Sequence, residues 1–296
     1  MILVTGATGF VGSQVVHALR ARGHAVRALV RPDSSTRQLD AWGCELARGD
    51  VTDAASLRAA ADGCEAVVHL VSIIAGRPAA FERVMVGGTA NVVAAAEAAG
   101  PRRIVLMSAL GVDESSCELV PYYRAKWAME QAVAASRVEH VILRPGFVFG
   151  PGGGVLPLFV RQVRLSPVTP VVGDGSRRLQ PIWVDDLAEA TAAAADLPAV
   201  AGRTLELGGP DVVTWNELYA RIAAALGKER RQLHLPVGLV RAVATVAERL
   251  PQPPVTRDQL TMLEHADNVC DPTVANDVLG LAPIGLDEML RRAIAR

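Results

Sequence analysis

Tyr122 and Lys126 stand four residues apart in a helical pattern, which sets a phenol and an ammonium on one face about a turn from each other. An ammonium beside a phenol favours the phenolate and draws its pKa toward the range in which a proton moves readily near neutral pH. Ser108 closes the apolar run 103–107, and its hydroxyl is suited to holding an oxygen at the end of a strand. A serine that fixes an oxygen, a tyrosine that exchanges a proton with it and a lysine that tunes the tyrosine could interconvert a carbonyl and an alcohol if a hydride carrier lay alongside. Tyr123 is the competing phenol. It points roughly 100° round the helix from Tyr122, and the spacing to Lys126 favours Tyr122.

The carrier's place is written in the opening MILVTGATGFVG. An apolar strand over residues 1–5 runs into Gly6, Gly9 and Gly12 and then into a helical pattern over residues 11–22. At this spacing Gly6 permits a tight turn, Gly9 lets the backbone approach a pyrophosphate, and Gly12 allows the helix to pack on the strand. The free amides and positive dipole end of the helix attract the phosphates. A second strand, residues 25–31, ends at Arg31, where NAD-binding folds usually carry an acid for the ribose 2′-hydroxyl. A guanidinium suits a 2′-phosphate instead, so NADP(H) is expected over NAD, with Ser34 and Arg37 assisting and Asp33 keeping NAD as the second choice.

These residues need a scaffold, and strand-like runs near 1–5, 25–31, 44–48, 66–71, 103–107 and 140–144 alternate with helical patterns near 11–22, 53–61, 80–99 and 120–136. That alternation predicts an α/β fold, a doubly wound parallel sheet of the Rossmann type, with ligands beyond the carboxyl ends of the strands. Residues 1–150 form the expected dinucleotide-binding domain, its sheet completed within 181–208, where 181–195 reads as a return to the sheet. Residues 151–180 and 209–296 form a smaller C-terminal substrate lobe, rich in Pro and Gly at its start. Thr214 with Glu217 is a capping box opening a helix to about Leu226. Leu239, Val243, Val246 and Leu250 fall on one helical face, which is expected to pack on this lobe, with peripheral membrane association as the alternative.

Composition narrows the partners. With 296 residues, 50% apolar, and a formal net charge of −1, the chain has neither basic runs nor basic helix stripes, which argues against nucleic acid. Cys44, Cys64, Cys117 and Cys270 are scattered without a CxxC pair, so no metal site and no disulfide framework is expected. The first strand begins at Met1 with no signal peptide expected before it. The longest apolar run, 66–76, is broken by His69 and Ser72 and is too short to span a bilayer. A soluble, cytoplasmic chain with a small-molecule substrate is expected. Ile73, Ile74, Phe147, Leu156 and Trp183 near the expected cleft suggest that this substrate is hydrophobic.

TGATGFVG, GDVTD at 49–53, VVHL at 67–70, GTANVV at 88–93, the strand ending at Ser108, Tyr122 with Lys126, and LRPGFVFGPG at 143–152 together resemble the extended or atypical short-chain dehydrogenase/reductase superfamily. HLVSII, MSALG and ELGGP most resemble its branch containing the NAD(P)H-binding accessory subunit of respiratory complex I and bacterial relatives. The resemblance implies that Gly6, Thr8, Gly9, Phe10, Val11 and Gly12 line the pyrophosphate, Asp50 and Val51 the adenine, and Leu70, Val71 and Ser72 the ribose side. It further implies that Pro145, Gly146, Phe147 and Val148 lie against the nicotinamide and that Lys126 also bonds the nicotinamide ribose. Two positions depart from the family pattern. Met85 stands where many members carry an asparagine, which removes a proton relay through that side chain. Ala109 and Leu110 follow Ser108 where dehydratases carry Asp–Glu. The leading expectation is an NADP(H)-dependent oxidoreductase of carbonyls or alcohols. A redox-inert NADP(H)-binding structural, assembly or sensing protein is the alternative, and a nucleotide-sugar epimerase with Arg161, Arg164, Arg177 and Arg178 as diphosphate clamp is a third reading.

Overall fold

A computed structural model describes residues 1–248 and 255–295. The chain divides into two units, the first comprising Met1–Pro145, Val184–Leu207 and Asp271–Ala282. Its strands are β1 (Ile2–Thr5), β2 (Val26–Val30), β3 (Glu45–Arg48), β4 (Ala66–His69), β5 (Arg103–Met107), β6 (Glu139–Pro145) and β7 (Arg203–Leu207). They pair in parallel in the order β7-β6-β5-β4-β1-β2-β3. Every residue of β1, β4 and β5 is buried, as a sheet covered on both faces requires of its central strands. The strand order reverses between β1 and β4, whose carboxyl ends are Thr5 and His69. This is the point at which such sheets take ligands.

One face carries α1 (Phe10–Ala21) and α5 (Val184–Asp196). Ala190, Ala192, Ala193, Ala194 and Ala195 of α5 are all buried, and short side chains let the two helices approach closely. Arg22 with Glu189, and His24 with Asp196, pin their ends. The buried Arg103 pairs with Glu139 and donates to the carbonyls of Ala194 and Leu197 at 2.8 and 2.7 Å, closing the carboxyl end of α5. The other face is covered by α2 (Ala54–Ala61), α3 (Gly88–Ala99) and α4 (Pro121–Ala134), whose Leu57, Val92, Ala96, Met129 and Val133 share one core with Leu3, Val67, Ile104 and Ile142. α2 begins at Asp53, whose carboxylate accepts from the Ala55 amide at 3.0 Å. A further helix of this unit, α6 (Thr273–Leu279), buries Ala275 and Leu279 against β7 and α5.

Several elements differ from the sequence reading. The helix expected over 80–99 is three pieces, Pro78–Phe81, a π-helical turn Glu82–Gly87, and α3. Gly87 and Gly88 weaken helical preference where the wide turn sits, and a Cβ on Gly88 would lie 2.9 Å from the Val51 side chain. Ile182–Trp183 does not rejoin the large sheet but pairs with Val148–Phe149. A two-residue strand followed at once by α5 leaves no length for a sheet-spanning element, and β7 is the seventh strand.

The second unit comprises Gly146–Trp183, Gly208–Cys270 and Pro283–Arg296, of which 249–254 and 296 fall outside the described residues. Besides the pair just named, Val168–Val172 lies parallel to Arg231–Leu235, and Arg178–Leu179 antiparallel to Val213–Thr214. Thr214 and Glu217 cap helix Trp215–Ala225 reciprocally. Phe149, Leu156, Val163, Leu179, Trp183, Leu218, Ile222 and Met289 form its core. Leu156 and Trp183, expected at a cleft, are thus consumed in packing, at 0% and 2% exposure. The face read as amphipathic is not packed: in helix Val237–Ala247 only Ala244 is buried, and Leu239, Val243 and Val246 are 56%, 55% and 64% exposed. Leu250 lies outside the described residues.

Candidate active site

The turn after β1 is built from three glycines with separate tasks. Gly6 takes φ +78°, a left-handed conformation that side chains disfavour. Its oxygen accepts from the Gly9 amide at 3.0 Å. A Cβ on Gly12 would stand 2.0 Å from that same oxygen, so helix and turn touch backbone to backbone. Gly9 caps α1 without a side-chain acceptor, which leaves the first-turn amides of Phe10, Val11 and Gly12 without an intrahelical partner. Bare amides at a helix start, beside the exposed Thr8, are a cradle for a diphosphate. A Cβ on Gly6 would meet the Leu70 carbonyl carbon and the Val71 nitrogen at 3.2 Å, so this turn lies directly against the Leu70–Val71–Ser72 segment.

A buried histidine sets the spacing between these two loops. Thr89 donates its hydroxyl to the Met85 carbonyl at 2.7 Å, so it accepts from His69 Nε2–H at 3.0 Å, and His69 Nδ1 accepts from the Thr5 hydroxyl at 2.6 Å. Burial, and then the Lys126 charge, push the imidazole down to about 3, which keeps it neutral. Thr5 and His69 are the last residues of β1 and β4, so one hydrogen-bonded chain ties both strand ends to the π-helical turn. Sequence reading missed this role, and its only signal was a polar residue inside an apolar run.

At the outer end, Asp50 accepts from the amide and hydroxyl of Thr52 at 2.9 and 2.7 Å. Burial pushes its carboxyl up, but those bonds and the guanidinium groups of Arg31 and Arg83 outweigh it and hold the carboxyl below its ordinary value. Val51 is fixed by Asn91, which donates to its carbonyl at 3.0 Å. Arg31 is exposed just past β2, and Arg37 is exposed at the start of helix Arg37–Ala41. Arg48, which the sequence reading missed, ends β3 in register with Val30, and its Nη1 donates to the Pro32 and Arg31 carbonyls at 3.4 and 3.5 Å. Parallel register was the signal: once β3 is placed, residue 48 must stand beside residue 30.

Ser108 follows β5, its amide donating to the Leu143 carbonyl at 2.7 Å, while the Leu110 amide donates to the Pro145 carbonyl at 2.9 Å. Its hydroxyl is buried with no partner among the described residues, and an unpaired buried hydroxyl is rare enough to suggest a missing ligand. Lys126 is 1% exposed and donates to the Met107 carbonyl at 2.6 Å, with Nζ 5.9 Å from the centroid of the Tyr122 ring. Burial pulls Lys126 down to about 7 against the opposing charge of Glu130. Glu130 is itself buried and holds Arg144 by two bonds of 3.0 and 2.7 Å. The lowering expected of the Tyr122 phenol is reversed. Burial, and then Tyr123, push it above the usual phenol range, against the Ser72 hydroxyl, which pulls it down. The ammonium that was to lower it is spent on Met107 and is itself half-neutralised by burial.

Pro145 closes β6, whereas Gly146, Phe147 and Val148 belong to the second unit, where Phe147 stacks edge-on against Trp215 at 5.5 Å. Ile74 is exposed and Ile73 lies against the core of the first unit. Two of the four arginines read as a diphosphate clamp are engaged: Arg177 donates to the Glu264 carbonyl and Arg178 pairs with Asp267, both at 2.7 Å. Arg161 and Arg164 are exposed on helix Leu156–Leu165.

A family model described as the NAD dependent epimerase/dehydratase family matches residues 2–208. The chain belongs to this family. It is 34% identical over 249 residues to a ceramide reductase of Caulobacter vibrioides, covering 83% of this chain and 77% of the relative. It is 30% identical over 335 residues to a 2-alkyl-3-oxoalkanoate reductase of Stenotrophomonas maltophilia, covering 98% and 97%. To NADH dehydrogenase [ubiquinone] 1 alpha subcomplex subunit 9, mitochondrial, of Arabidopsis thaliana it is 30% identical over 302 residues, covering 95% and 73%. Membership brings a nicotinamide dinucleotide cofactor, and the bare amides at Phe10–Gly12 with the glycine-only approach of Gly12 to Gly6 fit the diphosphate of one. No described helix is long and apolar enough to cross a membrane.

Proposed function

We propose that this protein is an NADP(H)-dependent oxidoreductase that reduces the carbonyl of an apolar small molecule, with Tyr122 as proton donor. The observation that carries the reading is the unpartnered, buried hydroxyl of Ser108 directly after β5, whose last residue, Met107, takes the bond of the buried Lys126 beside Tyr122. A bound dinucleotide supplies the hydride. The chain supplies the rest: Ser108 donates to the carbonyl oxygen and orients it, and Tyr122 gives that oxygen a proton as negative charge develops there. A phenol pushed above its usual range is fully protonated at neutral pH, the state a proton donor needs in the reductive direction. Lys126 keeps at least one further N–H beyond the one donated to Met107, enough to hold a ribose hydroxyl. Arg31, with Arg48 beside it, favours the 2′-phosphate of NADP(H). The reductase names of two relatives, one acting by name on an oxoalkanoate, support an apolar carbonyl substrate.

The test is oxidation of NADPH and NADH at 340 nm over aliphatic β-keto esters, aryl ketones and quinones. NADPH is expected to be oxidised in preference, and Tyr122→Phe to lower turnover about 10²- to 10⁴-fold with dinucleotide affinity retained. Retention of dinucleotide through gel filtration with no turnover on the panel supports the second reading, a redox-inert NADP(H)-binding protein. The likeness to the complex I subunit favours that alternative.

A further inference from the structure

Two consecutive elements of the second unit show solvent their apolar side. Strands Val168–Val172 and Arg231–Leu235 pair with Val168 beside Arg231 and Pro170 beside Leu233. Alternation along the first strand buries Thr169 and Val171, so Val168, Pro170 and, across the ladder, Leu233 share the opposite face. Val168 and Leu233 are 38% and 51% exposed, and Leu165, at the end of the helix leading into this sheet, is 70% exposed. After Pro236 the chain enters helix Val237–Ala247, whose one charged residue is Arg241. That guanidinium turns back on helix Arg257–His265, where it pairs with Glu264 and donates to the Thr261 hydroxyl at 3.4 Å. The exposed places go instead to Leu239, Val243 and Val246. A helix held to its protein through its cation, with its aliphatic stripe in water, reverses the polarity of a core-packed amphipath.

Charge names the partner. Lys228 and Arg230 donate to the Arg164 and Val163 carbonyls at 3.1 and 3.0 Å, which gathers them at the end of helix Leu156–Leu165 with the exposed Arg164. Arg231, also exposed, follows directly at the start of its strand, beside Val168. Among the described residues none of these four cations is in an ion pair, and Glu229 is the single carboxylate within 228–231. Glu248 and Glu264, the acids closest to the helix, are already held by Arg257 and Arg241. Aliphatic side chains beside unpaired cations match an anionic bilayer, whose acyl chains take the former and whose headgroups take the latter. A second copy of this chain is the poorer match, because two-fold pairing brings up a second set of the same cations with no carboxylates to meet them. We infer that these elements dock on the surface of an anionic lipid bilayer. Leu239, Val243 and Val246 seat among the acyl chains, and Arg164, Lys228, Arg230 and Arg231 take the headgroup phosphates. Such docking needs no turnover and does not depend on the reductase reading.

The test is co-sedimentation of the full chain with vesicles of phosphatidylcholine alone or of equal parts phosphatidylcholine and phosphatidylglycerol. Binding to the mixed vesicles is expected to be at least about tenfold tighter, and that advantage to vanish in about 1 M salt, which screens charges beyond about 3 Å. Val243→Asp is expected to weaken binding at least about tenfold and Arg231→Glu at least about fivefold, both with the Tm of the wild type. Val274→Asp, at a valine of the first unit that is 58% exposed, is expected to bind as the wild type does. Equal affinity for the two vesicle types, or none for either, overturns the inference, and so does a loss in Val274→Asp that matches Val243→Asp. A dimer seen by sedimentation velocity without vesicles, and dissociated by Val243→Asp, assigns the surface to a second copy and overturns it as well. NADPH oxidation over β-keto esters without vesicles decides the reductase reading separately, and Val243→Asp leaves that rate unchanged.

Discussion

Replacing Lys126 by methionine should change how stability depends on pH, by an amount that follows from its burial. Its ammonium has an ordinary pKa of 10.5 and is pulled to about 7 in the folded chain. Between those values the unfolded chain holds a proton that the folded chain has released, so the contribution of this lysine to stability rises with pH across that window. Below about 7 both states are protonated and the penalty for burying the charge is fully present. With about 1.4 kcal/mol for each unit of pKa, a midpoint near 7 and a half-titrated lysine at pH 7, the rise between pH 7 and 9 is about 2 kcal/mol, of a ceiling near 5. Cys64 and Cys44, whose thiols burial pushes up, act in the opposite sense above pH 8, but they are present in both proteins and cancel in the difference. Urea unfolding of dinucleotide-free wild type and Lys126→Met, followed by tryptophan fluorescence at pH 6, 7, 8 and 9, measures it. The stability of wild type relative to variant should be flat from pH 6 to 6.5 and then climb. Profiles that stay parallel to within about 0.5 kcal/mol from pH 7 to 9 would refute the idea that a dry, inward-bonded ammonium is held near neutrality.

Gly12→Ala should abolish measurable dinucleotide binding by calorimetry, because its Cβ would sit 2.0 Å from the Gly6 carbonyl oxygen and the turn must open to admit it; retained affinity would refute the requirement for backbone contact between helix and turn. Glu130→Gln strips the charge from a buried bidentate partner of Arg144, and a loss of about 3 kcal/mol, or roughly 5 °C in Tm, is expected by calorimetry. Arg31→Ala should weaken NADPH about 10- to 100-fold with little change for NADH, measured by paired fluorescence titrations. His69→Leu removes both links of the chain from Thr5 to Thr89 and should lower Tm and dinucleotide affinity together, whereas a variant that keeps full affinity would show that the two loops hold their spacing without it.

Much of the first unit was legible because its signals are local. The strand ending in three spaced glycines, the alternation of apolar runs with alanine-rich helices, and the capping box at Thr214 each follow from a few neighbouring residues. What was not legible depends on distance. No local pattern says that Lys126 donates inward to Met107, or that burial and the neighbouring Tyr123 push the Tyr122 phenol up rather than down. Phe147, Leu156 and Trp183 are equally apolar in sequence, yet only packing decides that the last two fill a core. The helix at Val237–Ala247 read as a buried amphipath because periodicity reports that a face exists, not which way it turns.

The run of alanines along α5 has a mechanical consequence. α1 leans on that seam along much of its length, and its twelve residues make a rod of roughly 18 Å whose leading tip presents the bare amides. A bulkier side chain where α5 meets α1 would tilt the rod and carry those amides away from the Gly6 carbonyl. Nucleotide affinity in this fold is therefore adjustable from a surface no ligand ever touches.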